Sequence, residues 1–205
     1  MTLAVLIPAA GCSSRLGQSK QLIEIHKRPL LQDRIRLCAQ IVSKINGKVY
    51  CVLGANAHKI RHHVIDPRCR FLFFEQWHKG LAHSIAYGIE HLPKPISAVL
   101  ILLSDQWALN EQDLNQLIEQ HKRNPTKITA SRYNDIIGVP AIFPRQYFDK
   151  LTKIDPKSQH FGAKTLMQQH SSEVITIDID NAKYDLDTQS QLQQMQQMLK
   201  LQIQP

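Results

Sequence analysis

A doubly wound α/β fold, with a mostly parallel sheet and helices on both faces, is the architecture that this 205-residue sequence predicts. Three observations point to it. Short apolar runs alternate with helix-like segments along the whole chain. The runs are continuously apolar, as strands buried on both faces are, and do not alternate with polar residues. A glycine-bearing loop follows the first run directly, and in open α/β sheets ligands lie beyond the carboxyl ends of the strands.

In chain order, the apolar runs that predict strands are Leu3–Ile7, Lys48–Leu53, Arg70–Phe74, Ala98–Leu103, Lys127–Ala130 and Val174–Ile177. The segments between them predict helices over Pro29–Ser43, Asn56–Val64, Leu81–His91, Glu111–Arg123, Gln146–Leu151, Gly162–His170 and Gln189–Gln202. The last is rich in Gln, yet Leu192, Met195, Leu199 and Ile203 recur at intervals of three or four, which makes it an amphipathic helix with a core-packing stripe. With no internal repeat and no linker, residues 1–205 are expected to form one domain. That domain would comprise two halves, residues 1–110 and residues 111–205, the second with the C-terminal helix.

A hydrophobic fraction of 43% is enough for a sizeable core. The longest apolar runs fall well short of the roughly 18 residues of a membrane span. No basic segment precedes the first run as it would in a signal peptide, so a cytoplasmic protein without a membrane partner is expected. Cys12, Cys38, Cys51 and Cys69 are scattered without a CxxC pair and read as free thiols. A net charge of +8 favours an anionic partner. The basic cluster Lys59–His63 lacks interleaved aromatics and any nucleic-acid motif, which leaves solubility or the steering of a phosphorylated small molecule. His58 and His62 have metal-ligand spacing but no third ligand, and read as a solvated helix face.

The loop after the first strand reads Ala9-Ala10-Gly11-Cys12-Ser13-Ser14-Arg15-Leu16-Gly17-Gln18-Ser19-Lys20. It is not a Walker loop, because five residues separate the glycines and Lys20 comes two positions late. Nor is it a dinucleotide fingerprint, since Ser13 stands where that motif requires glycine. Its composition nevertheless suits a triphosphate. Gly11 and Gly17 allow backbone amides to approach phosphate oxygens, Ser13 and Ser14 can donate hydrogen bonds, and Arg15 and Lys20 supply charge. Cys12 has no nearby His and reads as a bystander.

The pattern A-A-G-x-S-x-R-x-G-x-x-K after a strand resembles the signature of the MobA-like NTP transferases, the nucleotidyltransferases that act on the molybdenum cofactor, whose fold resembles that of nucleotide-sugar pyrophosphorylases. The resemblance continues along the chain. Gly80 and Ser84, followed by Gly88, are similar to that family's G-x-x-x-S-[LI]-x-x-G segment near base and ribose. Leu102 to Gln106 resembles L-x-D-Q-P, with Trp107 replacing Pro. Gly138-Val139-Pro140 is similar to G-[HNR]-P, with Val139 in the polar position. Gly162-Ala163-Lys164 resembles the end of G-D-x-G-A-[RK], with Ser158-Gln159 in place of the leading Gly-Asp. Asp185-Leu186-Asp187-Thr188 resembles D-[IV]-D-T-P, with Gln189 in place of Pro.

The resemblance implies a Rossmann-like nucleotidyltransferase fold. The implied enzyme moves CMP from CTP to the phosphate of molybdopterin or its molybdenum-bearing form and releases pyrophosphate. Ala9, Ala10, Gly11, Ser13, Arg15, Gly17 and Lys20 would bind the nucleotide together with Gly80, Ser84 and Asp105, and Arg15, Lys20 and Asp105 would carry catalysis. The cofactor implied is Mg²⁺, which takes one or two carboxylates along with phosphate oxygens and waters. Asp105, ending a buried strand, is the first candidate ligand. Asp187 is favoured as the second, with Asp185 alternating onto the same side of an extended segment. Helix capping by Asp187 or Thr188 is the competing reading of that segment. A molybdoenzyme receiving the product is the implied protein partner. The alternatives are guanylyl transfer from GTP, a sugar or polyol phosphate as acceptor, and, from another class, a nucleotide- or cofactor-binding chaperone without turnover.

Overall fold

The computed structural model describes residues 2–45, 47–153 and 162–201. The long strands are β1 (Leu3–Ala9), β4 (Lys48–Leu53), β5 (Cys69–Phe73), β6 (Ala98–Ile101), β7 (Ile128–Tyr133), β8 (Ile136–Pro144) and β9 (Val174–Asp178). A small antiparallel hairpin joins β2 (Glu24–Ile25) to β3 (Arg28–Pro29). The helices are α1 (Leu30–Ser43), α2 (Ala57–His63), α3 (Leu81–Glu90), α4 (Glu111–Arg123), α5 (Phe148–Thr152), α6 (Ala163–Gln169) and α7 (Gln189–Leu201).

The seven long strands form one mixed sheet in the order β5-β4-β1-β6-β8-β7-β9. It is parallel from β5 through β6 and again between β7 and β9, while β8 runs antiparallel to both neighbours. All seven residues of β1 are buried, and alternate side chains face opposite layers. Leu3, Val5 and Ile7 pack with α1 and α4, whereas Ala4 and Leu6 pack with α3, α5 and α6. Gly88 of α3 lies so close to β1 that a Cβ there would come within 2.5 Å of the Leu6 side chain. The glycine ending the G-x-x-x-S-x-x-x-G stretch is therefore required by helix-on-sheet packing.

The apolar runs do not predict the short β2 and β3, and among the long strands the one they do not predict is β8. Gly138, Pro140 and Pro144 interrupt it, and proline gives no ladder donor. A register shift between Ala130 and Ser131 of β7 accommodates the irregularity, and the Pro140 carbonyl accepts a hydrogen bond from Ser131 Oγ at 2.7 Å. The predicted helix over Gln189–Gln202 is seen as α7, with Leu192 and Met195 buried; Gln202, Ile203 and the Ser158-Gln159 pair lie outside the described residues. Leu192 and Met195 join Leu16, Ile25, Leu30, Trp107 and Leu186 in a third core cluster. Cys38, Cys51 and Cys69 are buried free thiols, with Cys38 pushed up to about 12 by burial, and Cys12 is exposed. Among the described residues no helix is long and apolar enough to cross a membrane.

From β1 the chain proceeds to β4 and β5 on one side, then crosses to place β6 on the other. The carboxyl ends of β1 and β6 thus flank a topological switch point, where open α/β sheets hold their ligands.

Candidate active site

Both segments singled out by the sequence leave this switch point. Ala9 and Ala10, at the end of β1, are buried, while Gly11 and Gly17 are exposed on the loop. Leu16, 1% exposed, anchors the loop's middle in the third core cluster. Gln21 secures its ends, since Nε2 donates to the carbonyls of Ala9 and Gly11, each at 3.0 Å. Ser13 adopts a left-handed φ of 56°, uncommon for a residue with a Cβ, and its hydroxyl accepts the Lys20 amide at 3.2 Å. Gln189 at the start of α7 donates to the Leu16 carbonyl at 2.6 Å, joining the loop to the C-terminal region.

Lys20 is the centre of the charge cluster. Its ammonium donates to Asp105 Oδ2 and, at 2.7 Å, to Asp187 Oδ1. Arg15 Nη2 reaches Asp187 Oδ2 at 2.7 Å from a largely exposed side chain. Four predicted residues separated by up to 172 positions are thereby brought together. Burial pulls the Lys20 ammonium down, but the charges and hydrogen bonds of Asp105 and Asp187 outweigh it and set it above its ordinary value. Burial likewise pushes the Asp187 carboxyl up, and Lys20 and Arg15 reverse this, leaving it below the usual carboxylate range.

Asp185 behaves differently. Its carboxylate accepts from Gln191 Nε2, and burial, followed by the negative charges of Asp105 and Asp187, raises it above the usual range. The capping of α7 falls to Thr188 and Gln191. Thr188 Oγ1 accepts the Gln191 amide at 3.3 Å, while Gln191 Oε1 accepts the amides of Asp187 and Thr188, both at 2.9 Å. This is the reciprocal T-x-x-Q capping arrangement, and it leaves the Asp187 carboxylate to Lys20 and Arg15.

The carboxylates fit a divalent cation of the Mg²⁺ type. Asp105 is 8% exposed, and its Oδ1 is buried without a hydrogen-bond partner among the described residues. Such an orphaned oxygen is costly unless something pairs with it. No group of three His, Cys, Asp or Glu side chains among the described residues is arranged to enclose an ion. An ion here would complete its shell with phosphate oxygens and water, which is the usual habit of Mg²⁺.

Gly80 and Ser84 stand apart from this cluster. Gly80 has φ +99°, which glycine alone adopts freely, and opens α3. Buried Ser84 donates its hydroxyl to the Gly80 carbonyl at 3.2 Å. Neither residue hydrogen-bonds to the loop or the carboxylates among the described residues. Their neighbours Leu81 and Ala82 border a cavity of about 460 Å³ with mainly apolar walls, including Ile85, Ile137, Val139 and Met167. Lys164, Lys183 and Asp185 are its charged groups among the described residues.

Residue-type reasoning missed the amides that hold these parts in register. Gln106, 2% exposed, donates from Nε2 to the carbonyls of Val139 at 2.8 Å and Ala182 at 3.1 Å, and its Oε1 accepts the Leu103 amide at 3.2 Å. It therefore fastens the Asp105 loop both to β8 and to the segment that leads to Asp185 and Asp187. The only local signal was its place beside Asp105. His58 and His62 are exposed on α2, in keeping with a solvated face.

The sequence profile of the MobA-like NTP transferase domain matches residues 5–174. A curated relative, the bifunctional protein GlmU of Desulfotalea psychrophila, is 27% identical over 129 residues, 62% of this chain; the matched stretch is 37% of that protein's length. Among solved structures, Rv0371c of Mycobacterium tuberculosis is 20% identical and superposes over 96% of this chain and 99% of its own with a TM-score of 0.80. Its manganese complex covers 95% and 97% at a TM-score of 0.73. Molybdopterin-guanine dinucleotide biosynthesis protein A of Archaeoglobus fulgidus is 14% identical over 98% of this chain and 100% of its own, with a TM-score of 0.67.

Proposed function

Because the chain belongs to the MobA-like NTP transferase domain family, we propose that it transfers CMP from CTP to the phosphate of molybdopterin or its molybdenum-bearing form, with release of pyrophosphate. The observation that carries this reading is the junction of Lys20 and Arg15 with Asp105 and Asp187 at the switch point.

In nucleotidyl transfer an anionic acceptor phosphate attacks the α-phosphate in line with departing pyrophosphate. The main obstacle is charge, so cations and geometry do most of the work. In our reading residues 1–110 receive the nucleotide and residues 111–205 the acceptor. The amides of Gly11 and Gly17 approach the phosphates, and Lys20 and Arg15 turn from the carboxylates to the β- and γ-phosphates. Gly80 and Ser84 border the nucleoside. Asp105 and Asp187, with Asp185 adjacent, would hold Mg²⁺, which when bound neutralises charge at the reacting phosphates. Rv0371c, which shares the fold, has been crystallised with manganese, which supports a divalent ion here.

The apolar cavity beside Asp185 is the acceptor site in this reading. Walls such as Ile85, Ile137 and Met167 suit the face of a flat ring system, with Asn134 available to its polar edge and Lys164 and Lys183 to an anionic group. The test is pyrophosphate release with each of the four nucleoside triphosphates against molybdopterin and a panel of sugar and polyol phosphates. CTP with molybdopterin should give the fastest release, and Asp105→Ala should abolish it while leaving the fold intact by circular dichroism. Preference for GTP would move the reading to guanylyl transfer. Release with sugar phosphates alone would overturn the acceptor, and none with any pair would favour a binding protein without turnover.

A further inference from the structure

A second cavity, of about 470 Å³, shares no residue with the Lys20 cluster. It opens between the β2–β3 hairpin, α1, the residues that follow Asp105, and α7. Its two carboxylates are already engaged. Asp33 accepts from Arg34 Nη2 and lies 3.5 Å from His26, and Glu111 accepts from Lys44 and, at 2.8 Å, from Gln40. Arg28 and Arg36, also in its lining, form no ion pair among the described residues.

Arg34 forms part of the wall and is 3% exposed. Its Nη1 donates to the carbonyls of Gln106 at 3.1 Å and Leu109 at 2.6 Å, while its Nε is buried with no partner among the described residues. A buried guanidinium N–H without an acceptor is costly, which leaves this wall under-satisfied among the described residues. The two-residue turn between β2 and β3 holds His26 and Lys27 at φ of 50° and 61°, the left-handed geometry such a hairpin turn requires, and brings His26 to the cavity's edge. The floor is apolar, with Trp107, Leu109 and Met198.

We propose that this cavity is a regulatory site for a small molecule that joins a phosphate group to an apolar body. Arg28 and Arg36 receive the phosphate, whose geometry the guanidinium fork matches, and the body rests on Trp107 and Met198. The residues that follow Asp105, from Trp107 to Glu111, form one wall, and Asn181 reaches it from the segment that leads to Asp185. Arg34 holds the backbone on either side of Trp107, directly after Asp105, and the Trp107 ring lies 5.7 Å from that of Tyr184, next to Asp185. A ligand that alters Arg34 or Trp107 shifts the spacing of Asp105 from Asp185 and Asp187, and with it the affinity for the triphosphate.

The test titrates phenyl phosphate into the full chain at ionic strength fixed with chloride, following tryptophan fluorescence and melting temperature, with inorganic phosphate as the probe of the anion alone. Saturable binding is expected, tighter for phenyl phosphate than for inorganic phosphate. It should weaken about tenfold or more in Arg28→Ala/Arg36→Ala and in the exposed Arg36→Glu, and stay unchanged in Lys20→Ala. By linkage, phenyl phosphate and CTP should change each other's dissociation constants by the same factor. Equal binding by the arginine variants, no saturation by about 10 mM, or loss of binding in Lys20→Ala would overturn the site. Binding without any change in CTP affinity would overturn the regulation. The binding arms require no turnover, so they stand or fall separately from the nucleotidyltransferase reading.

Discussion

Around the loop of residues 10–20, polar side chains are tied to one another: Gln21 to the loop's ends, Lys20 to two carboxylates, Arg15 to one of them. Across Asp185 the cavity beside β8 is walled by aliphatic side chains, with Lys164 and Lys183 as its basic groups. The first region has its charges in place but paired with one another before any substrate arrives, so a triphosphate must exchange partners with Lys20 and Arg15. As the proposed acceptor site, the second would discriminate by shape and apolar area, where a missing methylene costs only about 1–3 kcal/mol. One region should therefore respond to single changes of charge and the other to changes of polarity and size.

The sharpest way to break this contrast is Lys20→Ala. If Lys20 turns from Asp105 and Asp187 to the distal phosphates, triphosphate affinity should fall by about 10- to 100-fold, as expected for a hydrogen bond between charged groups. Affinity for the monophosphate, which lacks those phosphates, should change by less than about threefold. Isothermal titration with CTP and CMP reads both. Equal losses would restrict Lys20 to neutralising the carboxylates.

The same contrast decides what could be read from the sequence. Strands β1, β4 and β6 were legible because burial on both faces demands unbroken apolar runs, and β8 was not, because Gly138, Pro140 and Pro144 carry strand-breaking signals that pairing with β6 and β7 overrides. Arg15, Lys20, Asp105 and Asp187 were legible because they occupy set positions in stretches that resemble the family's motifs. Their mutual contacts, 85 to 172 residues apart in sequence, are tertiary facts. The hydroxyls of Ser13 and Ser84 could be named but not their partners, which are backbone groups of the same loop and helix. Gln21 and Gln106 are neutral amides that look like surface residues until the fold buries them. Gln191 alone had a local signature, three residues after Thr188.

On the cavity side, Ile137→Asp tests whether apolar area matters. Ile137 is 41% exposed and lines the cavity, so its replacement should leave the fold intact. The KM for the acceptor should rise about tenfold while the CTP dissociation constant stays the same. An unchanged acceptor KM would remove the cavity from acceptor binding, and weakened CTP binding would merge the two regions.

Asp185 lies on the boundary, touching the cavity yet feeling the charges of Asp105 and Asp187. Its folded carboxyl is raised by burial and by those two charges, so ionising it costs more in the folded chain than in the unfolded one. A raised carboxylate favours the fold most below its unfolded value of about 3.9, where both states are protonated. That favourable contribution is lost as pH rises through the folded value. Asp185→Asn, which cannot ionise but can still accept from Gln191, should therefore melt higher than the parent at pH 7. The difference should shrink as pH falls towards 4. Since Asp185 is only half-buried and partly screened by water, the gain should not exceed about 2 °C. A pH-independent gain would assign the effect to packing, and a loss at pH 7 would mean that the ionised Asp185 is held by a cation stronger than Gln191, which would shift the polar region's boundary into the cavity.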